Sequence, residues 1–392
     1  LNAIELFAGA GGLGMGVSLA GFTPKLVVEW DRWCCDTLRE NKRRKQSLIS
    51  KWPLPVEGDV RGVDYAPYAG KIDLVTGGPP CQPFSIGGRH RAHDDSRDMW
   101  PEAVRAVREI KPRAFIFENV KGLTRQTFST YLGHILLQLQ YPSIERRPDE
   151  SWRDHLDRLH RHHTSGAPLE YRVVHDLINT ADYGVAQKRE RVVFVGFRAG
   201  IADGWCFPRE THSLDALLWD QFRSGEYWDE HKVAKKDRVI SQRLKARGDY
   251  LPARPNGLPW NTVRDALAGL PDPEHQPEAS AKILNHRFQP GARSYAGHTG
   301  SSLDEPAKTL KAGVHGVPGG ENMMLRADGS VRYFTIRESA RLQAFPDDYA
   351  MHGSWTEAMR QLGNAVPVTL GEIVAKSVRA HLEASGRKPG HA

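Results

Sequence analysis

A short apolar run, Ile72-Asp73-Leu74-Val75-Thr76, feeds directly into Gly77-Gly78-Pro79-Pro80-Cys81-Gln82-Pro83-Phe84-Ser85, and this junction restricts the fold more than any other stretch. A brief apolar segment bounded by glycine and proline reads as a buried strand that ends in a turn. The two glycines permit tight turning and close approach by a ligand, while Pro79, Pro80 and Pro83 hold φ nearly constant around the thiol. Such a loop holds Cys81 out at the carboxyl end of a strand, which suits a nucleophile that must meet its target at a set distance and angle. A cysteine in a turn is equally a small packing residue, so Cys81 alone decides nothing.

The same strand-then-turn pattern recurs. Ala3-Ile4-Glu5-Leu6-Phe7 reads as a strand entering Ala8-Gly9-Ala10-Gly11-Gly12-Leu13-Gly14, with a helix beginning near Met15. Glycines there let backbone amides approach a nucleotide-like ligand and let the helix pack closely on its strand. Lys25–Trp30 forms a second strand ending in Glu29 beside Trp30. Glu29 can accept hydrogen bonds from a ribose diol, and Trp30 or Phe7 can offer a face to adenine. Asp59, in Gly58-Asp59-Val60, is a candidate acceptor for the adenine amine.

Pro101 to Ile110 reads as a helix stopped by Pro112, and Ala114-Phe115-Ile116-Phe117 as a buried strand carrying Glu118-Asn119-Val120 at its end. Two strand ends, one bearing a thiol and one a carboxylic acid, then face the same crevice of a parallel sheet. Residues 121–140 are expected to be helical. Tyr171–Val174 and Arg191–Gly196 are two more strands, bracketing a string that carries Arg189 and Arg191.

At 392 residues the chain is long enough for one large domain or two smaller ones. A formal charge of +7 is compatible with a polyanionic partner. Cys34, Cys35, Cys81 and Cys206 make neither a disulfide framework nor paired CxxC units, so a reducing cytoplasm is the default and adjacent Cys34 and Cys35 read as helix residues. No apolar run approaches membrane-spanning length, and no membrane is expected. His155, His160, His162 and His163 alternate with arginines but lack accompanying cysteine or acidic ligands; they read as a peripheral helix and turn, and no metal is expected.

From 201 to 333 the strand-helix alternation fades into proline-punctuated, charged sequence, which favours a second module. It includes amphipathic helix candidates within 214–248 and from Thr262, and the stretch Ala307–Gly320, where Lys308, Thr309, Lys311 and His315 offer phosphate or base contacts. Helices are expected again within Phe334–Pro346 and Val368–Leu382.

Taken together, the Pro80-Cys81-Gln82 core, the glycine turn, Glu118-Asn119-Val120, the Gln187–Arg191 string and Gln361-Leu362-Gly363-Asn364-Ala365-Val366-Pro367 resemble the motifs of the cytosine-carbon-5 DNA methyltransferases of bacterial restriction-modification type, in family order along nearly the whole chain. The resemblance implies an α/β fold: a Rossmann-like class I methyltransferase catalytic domain with a smaller, irregular target-recognition domain. The implied division is 1–200 catalytic, 201–356 target recognition, and 357–392 returning to the catalytic domain. S-adenosylmethionine is the implied cofactor, held by Phe7, Gly9, Gly11, Gly12, Leu13, Glu29, Trp30, Asp59, Pro79, Asn364 and Val366. Cys81 is the implied nucleophile, Glu118 the group at ring nitrogen 3, Arg191 the group at the base carbonyl, and Arg189 a support or phosphate contact.

Ser85, Arg89, Arg91 and Arg97 match a loop that closes over DNA, and Lys308, Thr309, Lys311 and His315 fall in the recognition region. The implied activity is methyl transfer to carbon 5 of cytosine within a specific duplex DNA sequence, by a cytoplasmic monomer that joins the nucleoid when bound and is functionally paired with a restriction endonuclease. An RNA cytosine-5 methyltransferase and a catalytically silent DNA-binding protein are the alternatives.

Overall fold

The computed structural model describes residues 1–80, 98–201, 203–238, 241–295, 299–312 and 322–386. Cys81, Ser85, Arg89, Arg91, Arg97 and His315 therefore lie outside the described residues.

Seven strands, β1 (Asn2–Leu6), β2 (Thr23–Glu29), β3 (Val56–Glu57), β4 (Leu74–Gly77), β5 (Ala114–Val120), β6 (Tyr171–Asn179) and β7 (Glu190–Arg198), form one sheet in the order β3-β2-β1-β4-β5-β7-β6. The first five are parallel, and β7 runs antiparallel to both neighbours. Every residue of β4 is buried, as are the first six of β5, which is why these strands read as near-continuous apolar runs.

Helices α1 (Gly12–Leu19), α2 (Arg32–Arg43), α3 (Trp100–Ile110), α4 (Ser129–Gln140) and α5 (Trp152–Thr164) make the crossovers of the first half. In α3 the buried Ala103, Val104, Val107 and Ile110 recur at helical spacing; Lys111 closes the helix at φ 53° and Pro112 prevents its continuation. The expected helix over 121–140 is shorter. Lys121–Thr124 and Gln126–Phe128 are separate 3₁₀ turns, Arg125 between them is extended, and only the apolar-rich remainder is α-helical.

The second half is built from much shorter pieces. β8 (His212–Ser213) pairs with β9 (Leu258–Pro259), and α6 (Leu214–Trp219), α7 (Glu226–Glu230), α8 (Gln242–Asp249), α9 (Val263–Leu267) and α10 (Pro277–Ala281) surround them in sequence. A small sheet of β10 (Ser301–Ser302), β11 (Met323–Leu325) and β12 (Val331–Tyr333) leads to α11 (Ile336–Leu342), α12 (Trp355–Asn364) and the long α13 (Val368–Gly386).

Three apolar clusters cement these parts. Trp100, Phe115, Phe117 and Ile135 pack on the α3–α4 side of the sheet, and Val17, Ile116, Val195, Val374 and Val378 on the α1–α13 side. A third cluster unites Leu38 and Trp52 of the first half with Phe334, Ala340, Phe345 and Leu362 of the second. Helix α13 lies so close to α1 that a Cβ on Gly16 would stand 2.4 Å from the backbone nitrogen of Glu372. The two ends of the chain are thereby one structural unit.

Candidate active site

In this strand order the chain leaves β1 toward β2 on one side and finds β4 on the other, so the crevice at the strand carboxyl ends opens between them. Leu6 is in register with Val28 and with Gly77, and Gly77 with Phe117. One row further along, Phe7, Glu29, Gly78 and Glu118 come to the same edge. Sheet register alone thus assembles residues from four separated segments.

The loop after β1 is held in an uncommon conformation. Phe7 has φ 53°, in the left-handed region where a side chain is disfavoured, and Gly11 turns into α1 with φ 82°. Glu29 fixes this loop from the neighbouring strand: one carboxylate oxygen accepts the Gly9 N–H at 2.7 Å, and the other accepts the N–H groups of Trp30 at 2.9 Å and Asp31 at 2.8 Å. Burial raises the Glu29 pKa against the lowering pull of those three donors. A carboxylate has about four acceptor directions, so one remains for a hydroxyl. Trp30 is 74% exposed, so it is not a core residue; its ring stands free at the rim beside Glu29.

The glycines serve a second purpose besides ligand approach. A Cβ on Gly12 would come within 2.2 Å of the Val366 carbonyl oxygen, so the chain's own closing segment fills the space that a side chain would take. The Leu13 side chain is buried in the cluster with Val366 and Leu370, leaving only its backbone for any ligand contact. Val366 is buried, and Asn364 is exposed at the end of α12. Asp59 is half-exposed; it caps the turn Val60–Gly62 by accepting the Arg61 N–H at 2.9 Å and pairs with the Arg61 guanidinium at 3.1 Å.

At the other side of the crevice, Glu118 is 8% exposed and its Oε1 lies 2.6 Å from Arg191 Nε. The contact is close but off-axis, leaving both atoms without an aligned hydrogen-bond partner. Burial pushes the Glu118 pKa up, opposed by Arg191 and then by Arg189. Gly78 is pressed against this acid: a Cβ there would sit 3.2 Å from Glu118 Oε2. Asn119 donates to the Pro79 carbonyl at 3.1 Å, tying the segment that leads to Cys81 onto the end of β5.

Arg189 is buried completely. Its guanidinium donates to the carbonyls of Gly363 and Ala365 at 2.8 Å and of Leu310 at 3.3 Å. This corrects the phosphate-contact alternative: no face of the side chain reaches solvent, and the support role is the one its surroundings permit. Thr309 donates its hydroxyl to the Lys188 carbonyl at 2.7 Å, Lys308 reaches Thr299 at 3.1 Å, and Lys311 is exposed. The 307–310 segment is thus laid along residues 186–189 of the first half, with Lys188 N–H on the Ala307 carbonyl at 2.8 Å.

Sequence reasoning gave no separate role to three buried polar residues here. Gln187 joins the two halves of the chain by accepting the Leu310 N–H at 3.0 Å and donating to the Leu342 carbonyl at 3.1 Å. Asn119 was visible only as part of its tripeptide. Glu5, in mid-strand, hydrogen-bonds Thr76 across the sheet beneath the glycine turn, and burial pushes its pKa up to about 8. A lone acid inside an apolar run was the signal that could have found it. Among the histidines, His134 and His155 face each other at 3.1 Å in the interior between α4 and α5.

The comparisons with known proteins agree with this architecture. The family model of the C-5 cytosine-specific DNA methylases matches residues 1–141 and 163–380. The chain is 30% identical over 385 residues to the Type II methyltransferase M.PspPI of Psychrobacter sp. (strain TA137), covering 97% of this chain and 80% of that one. It is 31% identical over 382 residues to the Type II methyltransferase M.Eco47II of Escherichia coli, covering 96% and 78%. Among solved structures, an E. coli prophage protein described as a DNA modification methyltransferase shares the fold with a TM-score of 0.58 at 24% identity, over 98% of this chain and 99% of that one. A strand-end crevice with a buried acid-arginine pair, in a chain matched along most of its length by one family, has a single reading: the chain belongs to the C-5 cytosine-specific DNA methylase family and methylates cytosine in DNA at carbon 5.

Proposed function

We propose that the crevice binds S-adenosylmethionine on the β1–β2 side and an extruded cytosine on the β4–β5 side, and that Cys81, Glu118 and Arg191 carry the transfer. The cofactor fits the residues present: Glu29 keeps an acceptor direction for the ribose diol, exposed Trp30 offers an aromatic face, and Phe7, Gly9, Gly11, Gly12 and the Leu13 backbone supply the loop. Pro79, Asn364 and Val366 are assigned to the same cofactor side, and Asp59 to the adenine amine, which requires it to give up its contact with Arg61. When bound, the cofactor supplies an electrophilic methyl group.

The base must leave the duplex stack to be reached. The Cys81 thiolate adds to carbon 6 while Glu118, whose pKa burial raises, gives a proton to ring nitrogen 3. Arg191 holds the carbonyl oxygen, and Arg189 fixes the backbone beneath it. Electron density gathered at carbon 5 takes the methyl; loss of the carbon 5 proton to water then expels Cys81 as the thiolate, while ring nitrogen 3 returns its proton to Glu118 and the ring is restored. The observation that carries this reading is the buried Glu118–Arg191 pair at 2.6 Å, held at the end of β5 where Asn119 ties down the segment that leads to Cys81.

The 201–356 stretch acts as the target-recognition module, with Phe334–Phe345 as the seam where its core joins the first, and 357–392 completes the catalytic part. Lys308, Thr309, Lys311 and His315, with Ser85, Arg89, Arg91 and Arg97 from the loop after Cys81, contact a specific duplex site. The chain is read as a cytoplasmic monomer functionally paired with a restriction endonuclease, a pairing in keeping with its likeness to Type II methyltransferases.

Glu118→Gln separates chemistry from binding. Its kcat is expected to fall at least about 100-fold with cofactor affinity nearly unchanged. Equal losses in both would remove Glu118 from the assigned role. Transfer to transfer RNA, with none to DNA, would move the substrate to RNA.

A further inference from the structure

The cofactor side of the crevice draws residues from both ends of the chain, and one ion pair joins those ends next to Glu29. Asp31 makes three contacts at once. Its N–H donates to Glu29 Oε1 at 2.8 Å, its Oδ1 accepts the Cys34 N–H at 3.1 Å and so caps α2, and its Oδ2 accepts from Arg360 Nη2 at 2.9 Å. Arg360 belongs to α12, whose end runs into Val366, and the Val366 carbonyl abuts Gly12. Gly9, in the same loop as Gly12, donates to the second Glu29 oxygen. These contacts close a ring around the acid: Gly9 to Glu29, to Asp31, to Arg360, and back through α12 and Val366 to the glycine loop.

The packing of α12 on α2 does not depend on this pair. A buried hydrogen bond from the Thr37 hydroxyl to Gln361 Oε1 at 2.7 Å, and two between Asn41 and Ala350 at 2.7 and 2.8 Å, fasten the same surfaces. What Arg360 adds is the position of Asp31, and through its N–H the direction of the Glu29 carboxylate. Glu357 also holds the Arg360 guanidinium, at 2.7 and 2.9 Å, but as the helix's own neighbour one turn back.

We propose that Arg360 is a positioning residue for the cofactor: its ion pair with Asp31 aims the Glu29 carboxylate at the ribose diol. The inference rests on the reading of Glu29 as the ribose acid and deepens it, since it assigns affinity for the nucleoside half to a residue 331 positions away in sequence from Glu29.

The test measures S-adenosylmethionine binding to the full chain by equilibrium dialysis, with steady-state methylation of DNA alongside. Arg360→Met and Asp31→Asn are each expected to weaken binding and raise the cofactor KM about 3- to 10-fold, with kcat within about twofold. Asparagine caps a helix as well as aspartate, so Asp31→Asn keeps α2 intact. The double variant should be no weaker than either single one, because both remove the same contact. Arg360→Lys should recover part of the loss, and Glu357→Gln should leave affinity unchanged. Unchanged affinity in Arg360→Met, additive losses, or a fall in kcat at constant KM would overturn the assignment. Glu29→Gln, measured in parallel, separates the two failures. If it binds normally, the ribose reading falls and the proposal with it; if it binds weakly while Arg360→Met binds normally, only the proposal falls.

Discussion

The strand-end crevice and the 201–333 stretch achieve order by opposite means. In the crevice, sheet register brings Phe7, Glu29, Gly78 and Glu118 to one edge, so that a few long strands position many groups together. Among the described residues of the later stretch no strand exceeds three residues, and side chains clasp specific partners instead. Arg332 and Glu338 form a buried bidentate pair with both distances 2.7 Å; Arg264 holds Asp304 at 2.7 Å, and Asp304 in turn accepts from Tyr227 at 3.0 Å. The difference teaches where each region is fragile. A sheet spreads a substitution over many contacts, whereas a clasp concentrates it in one.

Four substitutions sharpen that contrast, beginning with the largest. Arg332→Met strands Glu338 without its buried partner and is expected to cost about 3–5 kcal/mol, read by chemical denaturation; a cost below about 1 kcal/mol would show that the clasp is incidental. In the sheet, Glu5 carries a folded pKa raised to about 8 from an ordinary value of 4.5. Between those values the folded chain holds a proton that the unfolded chain has lost, so wild-type stability falls as pH rises through this window. Glu5→Gln, which keeps the Thr76 hydrogen bond, removes the slope and should gain about 3 kcal/mol on wild type between pH 5.5 and 8. A difference that is flat with pH would contradict the buried neutral acid.

Gly16→Ala forces α1 off α13 and should cost about 2 kcal/mol through overpacking, read as a lowered Tm. An unchanged Tm would mean that the helices part freely. Thr262→Ala is expected to be mildest. It removes the reciprocal cap of α9 with Asp265, worth about 1 kcal/mol, and a larger loss would show that the Thr262–Tyr227 contact at 3.0 Å carries more than the cap.

The legibility of the chain follows the same division. Strands ending in glycine, proline or an acid stand out because burial on both faces demands apolar runs and the turns demand special residues, so β1, β2, β4, β5 and β7 and the placement of Glu29 and Glu118 were readable. Register was not readable, since nothing in a single strand names its partner, and with it went the Glu118–Arg191 contact across β5 and β7. Gly12 was read for ligand approach and Gly16 only as part of a helix start, yet the closest atoms to them belong to Val366 and Glu372, more than 350 residues along the chain. Arg189 stayed open between a support and a phosphate contact because charge alone does not reveal three carbonyls folded around it. Strands of two or three residues leave no periodicity at all, which is why the 201–333 stretch appeared only as a loss of pattern.

The central claim is that a sulfur on the loop after β4 bonds to the target base while Glu118 and Arg191 hold its edge. DNA carrying 5-fluorocytosine at the methylated position tests it most directly, because fluorine cannot leave as a proton does and the adduct persists. Incubation with the active protein and S-adenosylmethionine should yield a denaturation-resistant protein–DNA complex whose peptide mass maps to Cys81. An enzyme that methylates ordinary DNA yet forms no such complex, or forms it at another residue, would contradict the account.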